Sequence, residues 1–366
     1  MSLDAEVEKA RQSIRTDDYP ISIGEWISIY DSGDLDIHPE FQRFFRWSDD
    51  QKSNLIESII LGIPLPPIFV SQRADGVWDV VDGLQRLSTI LELMGKLKDE
   101  RGVFLPPLKL RKTKYLPSLE GKVWNQDDSG SEQLPDEIKR IIRRSKIGAS
   151  ILLRESDDRA KYDLFERLNT GGSQLSPQEV RNCILVMIDK SFYQWLNDLC
   201  RSEAFIETTS LSDKPLLESY DLELALRFLM FAEASEDELK AVGDVGVYLS
   251  DRMTDLASDK AFDRDGWARS FDACFSFLNQ EMGQDAFKRY NPTKERHEGG
   301  FLVSQFEVVT AGAHHLLNNR LSTDRFAEKV AGLWSKEEFT KWAASGVTAS
   351  RRLRRTIPFA REYFEK

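Results

Sequence analysis

Residues 77–90 read V-W-D-V-V-D-G-L-Q-R-L-S-T-I, and the change of period inside this stretch decides the fold class. Trp78 to Asp82 is rich in β-branched and aromatic side chains, as strands are. From Leu84 onward, Leu87, Ile90, Leu91, Leu93 and Met94 return at the spacing of one helix face. The residues D-G-L-Q-R, Asp82 to Arg86, therefore fall at a strand-to-helix junction. Upstream, I-F-V-S-Q (68–72) and the turn at Asp75-Gly76 supply the other arm of a β-hairpin. P-L-P-P (64–67) precedes it, and before that a helix opens at Ser48 with Asp49 and Asp50 in its first turn. Leu55, Ile56, Ile59 and Ile60 lie on its apolar face, and it stops at Gly62. Between Ile21 and Gln72 this is the one helix expected among strand signals, and a short polar helix is expected before Ile21.

Downstream, residues 98–135 read as loop and short strand, D-E-I-K-R-I-I-R-R-S-K as a basic helix and A-S-I-L-L-R-E as a strand. A helix from about Asp157 ends at Asn169-Thr170-Gly171-Gly172, a turn of residues tolerant of positive φ. S-P-Q-E then forms a capping box, with Ser176 as N-cap, Pro177 at N1 and Glu179 at N3, and opens a helix through Leu199. Beyond Tyr220 helical periodicity prevails and no strand is expected. The class is α+β, with an N-terminal mixed domain over 1–185 and an all-α domain over 186–366.

The 366 residues carry 50 Lys plus Arg against 61 Asp plus Glu, a net charge of −11, which excludes a generic nucleic-acid coat or anionic-membrane binder. The charge is uneven. Residues 1–50 hold 5 basic and 12 acidic side chains, residues 101–150 hold 11 and 6, and the last 46 hold 10 and 6. The last excess centres on Arg351, Arg352, Arg354 and Arg355, expected as phosphate contacts to nucleic acid or as a solvated face. Three cysteines, none in a CxxC pair, give neither a disulfide framework nor a four-ligand zinc site. With no signal peptide and no apolar span, a soluble cytoplasmic protein is expected.

Three constellations carry chemistry. At D-G-L-Q-R, a helix N-terminus, a glycine and an arginine fork suit an anion, and Asp82 suits Mg²⁺ or a water; a capping Asp82 and a surface ion pair at Arg86 explain the same residues. In H-P-E-F-Q-R-F-F-R-W (38–47), Gln42, Arg43 and Arg46 interleave with aromatic rings, beside which a base or a phosphate would sit. In F-E-R-L-N-T-G-G-S-Q-L (165–175), a glycine turn before a new helix offers either an anion nest or a plain helix connection.

Together with L-I-E-S-I-I-L-G-I-P-L-P-P-I (55–68), these motifs in this order resemble the N-terminal domain family of GmrSD-type modification-dependent restriction enzymes, over roughly residues 20–185. The resemblance implies a ParB/sulfiredoxin-like fold, a DGQQR hallmark motif, and nucleoside-triphosphate binding and hydrolysis in defence against phage or modified DNA. By this resemblance, Asp82, Gly83, Gln85 and Arg86 match the hallmark, Gln42 and Arg43 an upstream QR pair, and Asn169 and Gly172 a later turn. Leu84 departs from it, standing where the family has a first glutamine. The expected roles place Arg86 and the following N–H groups on the phosphates, Asp82 on Mg²⁺ or the attacking water, Gln85 on that water and Arg43 on the developing charge. The expected partners are GTP, ATP or CTP with Mg²⁺, DNA, a separate nuclease subunit and a second copy of the chain in a homodimer, with no membrane. A non-catalytic nucleotide-sensing and DNA-binding regulatory module, or a ParB-like nuclease, are the alternatives. No HNH nuclease is recognisable: His314 and His315 lie in a helical stretch, and the acidic-x-Lys triplet Glu137-Ile138-Lys139, with Asp128 upstream, starts a helix.

Overall fold

The computed structural model describes residues 16–37, 47–99, 101–125, 131–153, 176–344 and 346–366. The chain divides into two compact units, Met1–Gln174 and Leu175–Lys366.

The first unit is built on β1 (Thr16–Ser22), α1 (Ile23–Ser32), β2 (Leu35–Asp36), α2 (Asp49–Leu61), β3 (Ile68–Gln72), β4 (Trp78–Asp82), α3 (Leu84–Leu93), α4 (Asp136–Arg144) and β5 (Lys146–Leu152). Its sheet runs β1-β5-β3-β4-β2. The β1–β5 and β3–β4 pairs are antiparallel, whereas β3–β5 and β2–β4 are parallel. A hairpin with its turn at Asp75-Gly76 therefore lies at the centre of a mixed sheet. Its turn is closed by Arg73 N–H donating to Val77 O (2.8 Å) and by Val77 N–H donating to Asp75 Oδ1 (3.1 Å). Ile68, Val70, Val80, Ile147 and Ile151 are buried along the sheet, with Ile56, Leu87 and Ile90 buried on the helices. Trp26 is buried with its indole N–H donating to Ile147 O at 3.2 Å.

The helix expected from Ser48 is present. Ser48 accepts from Gln51 N–H, the Gln51 side chain returns to the Ser48 N–H, and Gly62 at φ +68° ends it. One helix was not expected, α1. Its run I-S-I-G-E-W-I-S-I-Y is dense in β-branched residues and reads locally as strand. Ser22 as N-cap, accepting from Glu25 N–H at 3.2 Å, and Gly33 at φ +83° mark it as helix instead. Of the stretch before Ile21, where a short polar helix is expected, residues 1–15 lie outside the described residues and Thr16 onward is β1.

The second unit contains α5 (Pro177–Cys200), α6 (Glu203–Thr209), α7 (Asp213–Leu217), α8 (Tyr220–Phe231), α9 (Glu236–Ala241), α10 (Val245–Ser258), α11 (Arg264–Met282), β6 (Arg289–Asn291), β7 (Arg296–Glu298), α12 (Val303–Asn318), α13 (Phe326–Gly332), α14 (Glu337–Ala343) and α15 (Ala349–Glu365). The S-P-Q-E capping box opens α5 as read, with both reciprocal bonds formed. A boundary at 185 would cut α5, whose interruption falls later, at Asp189 (φ −152°, ψ 96°). There the Asp189 carboxylate accepts from the Ser191 and Phe192 N–H groups at 2.8 and 3.0 Å and so caps the second half of the helix. The all-α expectation is corrected by β6 and β7, an antiparallel hairpin. Three-residue strands are too short to display a period of two, and Asn291 Oδ1 makes the turn by accepting from Thr293 and Lys294 N–H.

Phe205, Phe228, Phe271, Phe275 and Phe306 form the apolar centre of this unit, with Phe271 and Phe275 4.4 Å apart between centroids. A chain of ion pairs runs beside it. Arg181 meets Glu223 (2.6 Å), Glu223 meets Arg227 (2.8 Å), Arg227 meets Glu307 (2.8 Å) and Glu307 meets Arg352 (2.8 Å). This tethers α5, α8, α12 and α15 to one another, and Glu307 at its centre has no solvent exposure. The helix pair α12–α15 packs closely where Gly312 faces Phe364, and a Cβ built on Gly312 would lie 2.1 Å from Phe364 Cδ2. Alanine is about 1 kcal/mol better than glycine in a helix interior, whereas overpacking costs about 1–3 kcal/mol. Gly312→Ala is therefore expected to lower stability by up to about 2 kcal/mol in chemical denaturation, and a stabilised variant would show that the pair separates without cost.

Candidate active site

The junction predicted from residues 77–90 is formed by the end of β4, Gly83 and the first turn of α3. Near the end of β4 the register shifts: Phe69 pairs with Asp82 but Val70 with Val80. Val81 is thus the extra residue of a bulge, a device that re-aims the side chain following it. Gly83 is the N-cap of α3 at φ +95°. A Cβ there would lie 2.5 Å from Ile68 Cδ1 and 3.1 Å from Arg86 Nη2, so conformation and space both demand glycine. Among the described residues no side chain caps this helix. Its first N–H groups are left for another acceptor, and the helix dipole adds partial positive charge at the same end.

Arg86 is turned inward. Its side chain is 11% exposed, and its Nη1 donates to the carbonyls of Pro66 and Pro67, the latter at 3.1 Å, while Nη2 donates to Asp82 Oδ2 at 2.9 Å. Burial lowers its pKa from the ordinary arginine value, and the Asp82 carboxylate opposes that shift. The fork expected to grip phosphate instead fastens the P-L-P-P segment to α3 and fixes the rotamer of Asp82. Asp82 is neither a helix cap nor an isolated surface acid. Its side chain is 36% exposed, Oδ2 is held by Arg86, and among the described residues Oδ1 has no partner.

Gln85 is half-buried, and its Oε1 accepts from the Trp47 N–H at 3.1 Å. This bond joins the D-G-L-Q-R motif to the end of the F-Q-R-F-F-R-W motif, two stretches 38 residues apart in sequence. Leu84, the departure from the hallmark, is buried at 5% exposure, and an apolar side chain suits that position. Gln42, Arg43, Asn169 and Gly172 lie outside the described residues.

Sequence reasoning missed the supports of α2. Lys52 pairs with Glu92 of α3 at 2.7 Å, and the buried Glu57 accepts from the Tyr115 and Leu116 N–H groups at 2.7 and 2.8 Å. An acidic residue on an otherwise apolar face, as Glu57 is beside Ile56, is the signal that could have found one of them. Of the C-terminal arginines, Arg351, Arg354 and Arg355 are exposed. Arg352 belongs to the ion-pair chain, and Arg354 donates to the carbonyls of Leu239 (3.2 Å) and Val242 (2.7 Å). The cluster is thus not one free basic face, because a helix distributes consecutive residues around its circumference. His314 is buried in α12, sharing hydrogen bonds with Ser270 Oγ (3.1 Å) and Glu233 (3.0 Å) and stacked on Trp267. Glu137 and Lys139 lie in the first turns of α4.

These features define a mixed α+β domain with a preset acid at a strand-to-helix turn. Residues 23–186 match the family described as GmrSD restriction endonuclease, N-terminal domain, and this segment of the chain is a domain of that family. The match ends just before the interruption of α5 at Asp189. No curated protein matches the chain. Among the described residues no helix is long and apolar enough to cross a membrane.

Two outcomes test this geometry. Gly83→Ala is expected to destabilise the first unit by about 2–3 kcal/mol, from positive φ and the clash with Ile68 together. Arg86→Lys, with a single point charge in place of a fork, is expected to cost about 1–3 kcal/mol. Urea unfolding of the full chain measures both, and unaltered midpoints would remove the clamp from the account.

Proposed function

We propose that the chain is a nucleoside triphosphatase acting in a restriction or anti-phage defence system, with the first unit as its ParB/sulfiredoxin-like nucleotide-binding domain and DNA cleavage left to a separate nuclease subunit. The observation that carries this reading is Asp82, held through one oxygen by a buried arginine while, among the described residues, the other oxygen has no partner and the adjacent helix N-terminus no side-chain cap. The family match to restriction enzymes supports the setting.

The Leu84, Gln85 and Arg86 N–H groups would receive the phosphate oxygens, as helix N-termini do. Asp82 Oδ1 would hold Mg²⁺, which binds nucleotides through one or two carboxylates plus the phosphates; a single available oxygen fits that mode. The ion would supply neutralisation of the phosphate charge. Gln85 keeps its amide N–H₂ group to orient a water while its Oε1 holds the main chain at Trp47. Gln42 and Arg43 precede Trp47 in sequence, so Arg43 is the candidate for charge stabilisation that Arg86, committed to Pro66 and Pro67, does not provide. Arg86 acts here as a positioning residue for Asp82.

Asp82→Asn keeps a carbonyl oxygen for Arg86 and removes the negative charge. It is expected to reduce Mg²⁺-dependent phosphate release from ATP, GTP and CTP by about 100-fold or more, with unchanged circular dichroism. Release at the parent rate would overturn the assignment. The buried Leu84 and the inward Arg86 favour one further reading, in which the same pocket senses a nucleotide without hydrolysing it. That reading is distinguished by a nucleotide-induced rise in melting temperature unaccompanied by phosphate release.

A further inference from the structure

Within the second unit, a cavity of about 1100 Å³ opens beside the β6–β7 hairpin, lined among others by Arg289, Tyr290, Glu298, Gly299, Gly300 and Trp334. It lies outside the family match, which ends at residue 186. Its lining combines a cation, two flat aromatic surfaces and glycine main chain, and each is held in place.

Arg289 is exposed, and its guanidinium carbon lies 4.6 Å from the centroid of the Trp334 ring. Among the described residues no carboxylate pairs with it. A guanidinium steadied by a ring rather than by an acid keeps its charge and its N–H donors for an anion. The one acid lining the cavity, Glu298, is already engaged by Asn291 Nδ2 (2.5 Å) and Lys294 Nζ (2.9 Å), so it leaves the charge of Arg289 standing.

The platform is fixed from behind. Trp334 Nε1 donates to Oε1 of Gln305 at 2.8 Å, and Gln305 Nε2 donates to the carbonyls of Ala286 and Lys288 at 2.9 and 2.8 Å. Gln305 is wholly buried, so one amide ties the indole to the root of the hairpin. Tyr290 packs edge-on against His297 across the hairpin (5.1 Å), and His297 Nδ1 is hydrogen-bonded to Lys288 O at 3.0 Å. On the open side, Gly299 and Gly300 place no side chain, and a Cβ on either would meet nothing within 4 Å.

We propose that this cavity binds a nucleotide, its base against the Tyr290 and Trp334 rings and its phosphate on Arg289. Stacking on aromatic residues beside a phosphate-bonding arginine is how single nucleotides and single strands are held without base-pair readout. A free mononucleotide and a nucleotide within a single strand share this chemistry.

The full-length Asp82→Asn protein in EDTA serves as background, so that Mg²⁺-dependent nucleotide binding at the junction of the first unit does not contribute. Anisotropy of a fluorescein-labelled single-stranded oligonucleotide is followed, with unlabelled dAMP and inorganic phosphate as competitors. Arg289→Glu and Trp334→Leu are each expected to weaken binding about 10-fold or more, and Trp334→Phe to retain it. Displacement by dAMP assigns the site to free nucleotides; oligonucleotide binding that dAMP does not displace assigns it to a strand. Parent-like binding by Arg289→Glu, or displacement by inorganic phosphate as effective as by dAMP, would overturn the proposal. Should Trp334→Leu fail to fold, Arg289→Glu, at an exposed position, decides alone.

Discussion

The Arg86 guanidinium, buried between Asp82 and the carbonyls of Pro66 and Pro67, is the contact on which the first unit's candidate site depends. A buried guanidinium is tolerated only when its donors are matched, and here three different parts of the chain supply the acceptors or the geometry. The P-L-P-P turn contributes carbonyls. The bulged end of β4 contributes a carboxylate, and Gly83 contributes the space, since any side chain there would strike both Ile68 and Arg86 itself. The arrangement sets the path into β3, the start of α3 and the rotamer of Asp82.

The second unit solves its packing differently. Its centre is a cluster of phenylalanines, and the polar chain Arg181–Glu223–Arg227–Glu307–Arg352 binds four helices together beside it. Each carboxylate in this chain touches two arginines, so Glu307, fully enclosed, is never an uncompensated charge. Apolar burial alone permits helices to slide, whereas a run of forked donors and bidentate acceptors has one register. The same principle recurs on a small scale at Gln305, which holds Trp334 and the β6–β7 hairpin through three bonds.

Arginine is thus the residue type whose role is hardest to infer from composition. In this acidic chain Arg86, Arg227 and Arg352 are structural, Arg354 caps main-chain carbonyls, and Arg289 is held by a ring. A cluster such as Arg351 to Arg355 reads as one patch in sequence and resolves on α15 into Arg351 and Arg355, which are exposed, and Arg352 and Arg354, which donate to Glu307 and to the carbonyls of Leu239 and Val242. The net charge of −11 excluded a coat-like binder; it carried no information on which cations were already spent on internal partners.

Local chemistry sufficed for much of the first unit and for the first helix of the second. Ser48 and Gly62 bounded α2, the Asp75-Gly76 turn and the change of period at Asp82 located the hairpin and the junction, and Ser176-Pro177-Glu179 opened α5, because capping, turn and periodicity signals act over a few residues. The motif order also carried the family resemblance, since it depends on residue identity alone. Only the tertiary structure decided that residues 289–298 form a hairpin, that Gln85 meets Trp47, and that Arg86 faces inward. Each of these depends on which groups separated in sequence are left without water and must find one another, a condition no local pattern encodes.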